Sequence, residues 1–538
     1  MRKLETLLIA AGVCWAASAQ VRYQDILKGP GSDWLTYAGS YSGQRHSPLN
    51  QITVANAGSL VPKWAFHIPK ATGLRTSPIV YQGIMYVTDS NVVYALDART
   101  GRQIWEYRDT RSKKSGVNRG AAILGDKVFF VTADVHLVAL DRRTGAVMWQ
   151  TKYGDIDKGI FSTMAPFIAK DKVLVGVAGG DTGMRGYLTA INANTGEEVW
   201  RTYTIPSKGE PGADSWSEDL REWGGAATWL SGTFDPDLNL LYWPTGNPWP
   251  DFYGGNRKGD NLYSCSVVAL NLDTGKMKWY FQFTPHDTHD WDAQAWPVLV
   301  DLPYEGKPRK LMLYGNRNGF YYVLDRTTGQ FLHGNKLVDN VDWASGLDAK
   351  GRPILVPGKD PSPSGTIACP GVYGATNWPS PSFNPATGLF YIMTMEQCDL
   401  YTSSSKEPEP KKGFSGGGVG RSKIVPGQYI LRAIEPTTGK RRWEYPMSGP
   451  ATSWPGTVST AGNVLFSADD DGHLVALDAR DGQVLWKFQM GEQMSASPMT
   501  YAVDGKQYVS VASATAVWSF GLFEPQRPMT PPPVKVVQ

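Results

Sequence analysis

Short apolar runs recur along the chain, as in Val93-Tyr94-Ala95-Leu96, and each run ends in a polar turn. Runs of this length bounded by turns predict β-strands. The turns repeat as well. An apolar pair and then Asp, Asn or Glu leads through Thr-Gly to a Trp, first as Ala95-Leu96-Asp97, Thr100-Gly101 and Trp105. The phrase returns with Trp149, Trp200, Trp279, Trp443 and Trp486, with Asp481 standing for Thr in the last. A weaker copy, Val323-Leu324-Asp325, carries His333 where the Trp should be. Each copy predicts a β-hairpin, because Asp or Asn can bond back to the turn backbone and Gly can take positive φ.

Repeats of this length mean an array of like units. The spacings from Asp97 to Asp141 and from Glu435 to Asp478 fit one four-stranded propeller blade. Seven copies are recognisable, and the long gap between Asp325 and Glu435 has room for an eighth, degenerate unit around Ser382-Phe383-Asn384-Pro385-Ala386-Thr387-Gly388. The fold expected is therefore all-β, an eight-bladed β-propeller with tryptophan-containing repeats, spanning 20–524. The repeated Trp residues are read as packing between blades, since packing alone explains their period.

Charge adds little. Over 538 residues the net charge is only +3, and Lys and Arg do not cluster with aromatics, which speaks against nucleic acid as a partner. The N-terminus matters more: Met1-Arg2-Lys3, an apolar run from Leu7 to Trp15 and then Ala17-Ser18-Ala19 predict a cleaved secretory signal over 1–19 and a periplasmic protein. No later stretch is apolar enough to span a membrane, and 525–538 form a Pro-rich tail. Without Cys14, the mature chain keeps Cys265, Cys369 and Cys398; export favours one disulfide, and Cys369 with Cys398 is the expected pair. No Cys-x-x-Cys-His is present to attach haem.

The densest polar stretch is Thr284-Pro285-His286-Asp287-Thr288-His289-Asp290-Trp291-Asp292. If it is extended, Asp290 and Asp292 point to the same side, and two carboxylates so placed call for a hard cation with oxygen ligands.

Six motifs in order carry a resemblance over nearly the whole mature chain: Val117-Asn118-Arg119-Gly120, Gly179-Gly180-Asp181 with Arg185-Gly186-Tyr187, Thr245-Gly246-Asn247-Pro248, Thr284-Pro285-His286-Asp287 leading to Asp290, Asn316-Arg317-Asn318-Gly319, and Ala375-Thr376-Asn377-Trp378. The chain resembles the quinoprotein alcohol dehydrogenases, propellers that bind pyrroloquinoline quinone (PQQ) and include the methanol dehydrogenase large subunit. The resemblance implies Asp290 as catalytic base and Arg317 as the arginine at the quinone oxygens. It implies Asp181 and Asn247, with Asp290, as ligands of a metal ion. Trp229 would form one face of the cofactor slot, Arg119, Thr163, Asn377 and Trp454 would surround the cofactor, and Gly179 and Gly180 would let backbone approach it. Asp292 resembles the extra carboxylate of the lanthanide-dependent branch; a trivalent ion asks for more negative oxygen ligands, so a lanthanide is favoured over calcium.

Three positions depart from the family. Asp181 stands for the usual Glu, Lys113-Lys114 for adjacent cysteines, and Arg75 for a Glu near the quinone. The activity implied is oxidation of a primary alcohol or aldehyde, with electrons passed to a separate soluble cytochrome c. The rival readings are a non-catalytic propeller scaffold and a quinoprotein sugar dehydrogenase.

Overall fold

A computed structural model describes residues 20–71, 73–112, 114–409, 416–421, 427–449 and 453–524. The expected signal over 1–19 and the tail over 525–538 lie outside the described residues, as does Lys113. The fold is an all-β propeller. Among the described residues seven sheets have four strands and one has five.

Each repeat phrase is the hairpin that joins the third strand of a sheet to the fourth. In the first copy, Val92–Asp97 pairs antiparallel with Gln103–Arg108, with Ala95 opposite Trp105 and Leu96 opposite Gln103. The slip of one residue is a bulge, and it recurs at Ala190/Ile191, Ala269/Leu270, Ala433/Ile434 and Ala476/Leu477. A bulge bends the outer strand and re-aims the Trp. The third strands are buried along nearly their whole length because neighbouring sheets cover both faces, whereas the outer strands are largely exposed or half-buried.

The re-aimed Trp packs on the glycine of the next repeat. A Cβ built on Gly145, at φ +73°, would lie 2.7 Å from the Trp105 ring, and Gly196, Gly275, Gly329 and Gly482 stand likewise against Trp149, Trp200, Trp279 and Trp443. Only glycine leaves room for the indole there. Trp105 also donates Nε1–H to the Arg142 carbonyl at 3.1 Å, and Trp200 and Trp443 donate likewise to the Leu272 and Ala479 carbonyls, whereas Trp149 and Trp279 keep the ring contact alone. At the weak copy His333 keeps the bond alone, with Nε2 2.8 Å from the Thr438 carbonyl.

The eighth unit is not where the spacing placed it. Ser382–Asn384 and Leu389–Glu396 are the first two strands of the sheet that ends with the Trp443 hairpin, so the phrase from Ser382 to Gly388 is an extra turn within that unit. The remaining four-stranded sheet is built from both ends of the chain: Leu60–His67 pairs with Ala516–Leu522, beside Lys506–Ala512 and Met499–Val503. Its Trp is Trp64, which packs on Gly101 and donates to the Ala98 carbonyl at 3.1 Å. The long gap instead holds insertions, a hairpin of Ala344–Leu347 with Pro353–Leu355 and a small three-stranded sheet. Cys369 and Cys398 form the expected disulfide, and Cys265 is free and buried.

The topology also decides where chemistry can gather. In an antiparallel sheet the entry to the first strand and the turn from second to third lie at the same end. Arg75, Thr163, Trp229, Trp378 and Trp454 each stand four positions before a first strand, which begin at Ile79, Phe167, Thr233, Ser382 and Val458. Asp181, Asn247 and Arg317 stand in turns between second and third strands.

Candidate active site

Those loops enclose a cavity of about 420 Å³, and every residue singled out for the site lines it: Asp181, Asn247, Asp290, Asp292 and Arg317 at one end, Arg119 with Thr163 away from them, and Trp229, Gly179, Gly180, Asn377 and Trp454 in the wall. Arg75 lines it too. Lys114 does not; its carbonyl accepts from Asn91 Nδ2 at 2.6 Å.

Arg317 sits between the paired aspartates, with one guanidinium nitrogen 3.3 Å from Asp290 Oδ2 and the other 3.0 Å from Asp292 Oδ2. The Val372 carbonyl fixes the guanidinium from behind at 2.5 Å. Asp292 is almost fully enclosed: Oδ1 accepts the Asn247 backbone N–H, and Oδ2 also accepts Trp229 Nε1–H at 3.0 Å. Asp290 stays more open, its side chain 23% exposed, and its backbone takes φ +61°, an uncommon conformation for a side chain of this kind. The loop is braced by Asp287, whose carboxylate accepts the backbone N–H groups of His289 and Trp291 at 3.3 and 3.0 Å. His289 lies outside the cavity lining, stacked on Trp291 with ring centres 4.2 Å apart.

Three carboxylates, Asp181, Asp290 and Asp292, face one guanidinium, so the fully ionised group carries two surplus negative charges. Their titration reflects this. Burial, and then Asp292, push Asp181 up to about 6, although its carboxylate keeps surface open to the cavity. Burial raises Asp290 well above the ordinary carboxylate range despite the opposing pull of Arg317, and Asp292 and Asp181 raise it further. Asp292 is raised by burial too.

Among the described residues no three Asp, Glu, His or Cys side chains close on a common point by themselves. Arg317 draws Asp290 and Asp292 to itself, and the remaining donors are Asp181 and the Asn247 amide. Asn247 gives its Nδ2 to Asp251 Oδ1 at 2.8 Å and turns its Oδ1 toward Gly180, beside Asp181. The donor set is thus all oxygen, with surplus negative charge, and it fits a hard cation.

The opposite end is positive. Arg119 makes one bond, to the Thr163 carbonyl at 2.9 Å, and its Nε is buried without an acceptor. Burial, and then Arg75, lower its pKa to about 9. Its guanidinium carbon lies 4.9 Å from the Trp229 ring centre and 5.1 Å from that of Trp378. A planar polycarboxylate fits this arrangement: indole surface for its rings, guanidinium for its acids, and a cation site at its far edge.

Trp378, Phe161 and Tyr373 line the cavity and were not among the candidate residues. Trp378 was within reach of the sequence, because it keeps the same four-residue offset from its first strand as Thr163, Trp229 and Trp454. Phe161 and Tyr373 carried no such signal.

The β-propeller domain of glucose/ethanol/alcohol dehydrogenases that bind PQQ matches residues 34–336 and 446–509. The chain belongs to this family. It is 39% identical to the quinoprotein alcohol dehydrogenase PedH of Pseudomonas putida, over 95% of this chain and 90% of that protein. It is 34% identical to the lanthanide-dependent methanol dehydrogenase of Methylorubrum extorquens, over 96% and 93%. Among solved structures, a europium-containing methanol dehydrogenase superposes with a TM-score of 0.87 at 31% identity, covering 93% of this chain and all of that one. This quinoprotein is therefore an oxidoreductase of the alcohol dehydrogenase kind, with PQQ and a metal ion as the family's cofactors. Among the described residues no helix is long and apolar enough to cross a membrane.

Proposed function

We propose that this protein is a periplasmic dehydrogenase that oxidises a primary alcohol, or the aldehyde that follows, with Asp290 as the base. The observation that carries the reading is the two-ended cavity: an oxygen-donor cluster with surplus negative charge at one end, unpaired guanidinium at the other, and Trp229 between them. The eight sheets are read as the blades of one closed ring, and 1–19 as the signal that exports it.

Bound PQQ with its metal ion would supply the electron-pair acceptor for the carbinol C–H. The rest is done by side chains. Asp290, the more open of the two carboxylates on Arg317, takes the hydroxyl proton on its free oxygen. Arg317 holds Asp290 and Asp292 apart and pulls both toward the anionic form, against the burial that raises them. Asp181, Asn247, Asp290 and Asp292 would hold the metal, and Arg119, Thr163, Asn377 and Trp454 the cofactor. Electrons would leave singly to a soluble cytochrome c, because the sequence has no haem-attachment motif.

A lanthanide is favoured over calcium because Asp292 adds a third carboxylate to the donor set. Reconstitution with PQQ and either lanthanum or calcium tests this in wild type and Asp292→Ala. Lanthanum-supported turnover is expected to collapse in the variant while calcium-supported turnover persists. Intact lanthanum activity in Asp292→Ala removes the lanthanide assignment and leaves the dehydrogenase reading standing. Alcohol oxidation supported by NAD would contradict the whole reading.

A further inference from the structure

Enclosed arginines in this protein are of two kinds. Arg45 gives its guanidinium to the carbonyls of Tyr37, Thr457 and Pro498 and to the Ser77 hydroxyl, at 2.5 to 3.2 Å. Arg257 donates to the Pro250 carbonyl and to Asn261 Oδ1 at 3.0 and 2.8 Å, and Arg432 is paired with Glu396 and Glu444 at 2.8 and 2.7 Å. Their donors are engaged by the fold. Arg119 is different: its one partner is a carbonyl, its Nε is a buried orphan, as at Arg142 and Arg317, but unlike those two it is paired with no acid among the described residues. Arg75 is more extreme: it lines the same cavity, half-buried, and no described residue accepts a hydrogen bond from its guanidinium.

The two are held together. Their guanidinium carbons lie 5.4 and 5.1 Å from the Trp378 ring centre. Ser77 donates its backbone N–H to the Arg119 carbonyl at 3.0 Å. Thr76 Oγ1 meets Thr88 Oγ1 at 3.1 Å, and Thr88 Oγ1 donates to Asn118 Oδ1 at 2.7 Å, so the two loops move as one piece. Two like charges fixed side by side, with burial lowering the pKa of both and no acid between them, destabilise the empty site. An anion that takes both relieves that cost.

We propose that Arg75 is a second carboxylate-binding cation, acting with Arg119 to clamp the acidic groups of the cofactor from the Trp378 side. The inference rests on the PQQ reading above. It makes cofactor retention in this chain depend on the charge at position 75, as well as on the indole wall. A guanidinium presents a fork that matches a carboxylate, and a charge-assisted bond of this type is worth about tenfold to a hundredfold in affinity.

The test is a titration of PQQ, and separately of its trimethyl ester, into protein at one fixed calcium concentration, followed by quenching of tryptophan fluorescence. Wild type, Arg75→Gln, Arg75→Lys and Trp229→Ala are compared. Arg75→Gln is expected to weaken PQQ by about tenfold or more. Arg75→Lys should keep most of the affinity, and the ester should bind wild type and Arg75→Gln alike because the carboxylates are masked. Since no hydrogen bond of the fold is lost, the far-UV circular dichroism of Arg75→Gln should match wild type. PQQ binding by Arg75→Gln at wild-type strength overturns the role of Arg75 but leaves the cofactor reading intact. An equal loss for PQQ and ester overturns it too, because the effect would not be electrostatic. Failure of wild type to bind PQQ at all overturns the cofactor reading, and the role of Arg75 with it.

Discussion

Trp229 donates its Nε1–H to Oδ2 of Asp292 at 3.0 Å, so the aromatic wall of the cavity and its most enclosed carboxylate are one hydrogen-bonded unit. The indole therefore has two separable contributions. Trp229→Ala removes stacking surface and bond together and should weaken PQQ by roughly 30-fold, about 2 kcal/mol. Trp229→Phe keeps a ring and loses only the bond, so its loss should be much smaller. Fluorescence titration separates them, and equal losses in both variants would mean that the hydrogen bond, rather than the stacking surface, holds the cofactor.

The raised carboxylates give the metal-free protein a defined pH response. Asp181 titrates at about 6 in the folded state against an ordinary 3.8, so between those values the folded state binds more protons than the unfolded state. Stability contributed by protonated Asp181 is thus present at low pH and lost as the pH rises through about 6. Compared with Asp181→Asn, metal-free wild type should fall in Tm from pH 4 to pH 7, and added calcium or lanthanum should restore it more strongly at the higher pH. A pH-independent difference between the two proteins would contradict the assignment.

The disulfide is tied to the same site through backbone. Cys369 and Cys398, 29 positions apart, close a segment that carries Val372, whose carbonyl holds Arg317, and the cavity residues Tyr373, Asn377 and Trp378. Replacing both cysteines with serine should cost about 3 kcal/mol through the freed loop. It should also lower turnover at temperatures where the protein stays folded, because Arg317 loses its fixed acceptor. Calorimetry and activity on the same sample check both, and unchanged turnover would show that the segment holds its shape without the bond.

The latch between units is testable at glycine. Gly145→Ala puts a methyl into the Trp105 ring at φ +73°, whereas Gly125→Ala, at φ +62°, meets nothing within 4 Å. Gly125→Ala should cost about 1 kcal/mol from backbone strain alone. Gly145→Ala should cost more, by about 1 to 3 kcal/mol of overpacking, in chemical denaturation. Equal costs would mean that the indole yields freely.

Much of the fold was legible in the chain because the repeat phrase writes strand, turn and packing residue together. Trp64 escaped because its sheet takes one strand from Leu60–His67 and three from Met499 onward; no local phrase spans that closure. The phrase at Ser382 misled for a related reason, since an Asn-Pro-x-Thr-Gly turn joins the first and second strands there as readily as the third and fourth elsewhere. The site was readable as a set of motifs, yet its common address at one end of the sheets follows only from strand order. The bonds from Arg317 to Val372 and from Trp229 to Asp292 join loops 55 and 63 positions apart, and no spacing rule reaches them.

Transfer of the alcohol proton to Asp290, in a cavity loaded with PQQ and metal, is the step on which the proposed chemistry stands or falls. It is probed by steady-state oxidation of a primary alcohol with an artificial one-electron acceptor, comparing wild type with Asp290→Asn, each reconstituted with PQQ and lanthanum and each shown by absorption to hold the cofactor. A loss in kcat of about a hundredfold to ten-thousandfold is expected for Asp290→Asn at matched loading. Turnover within a few-fold of wild type by the loaded variant would contradict the role of Asp290 as the base.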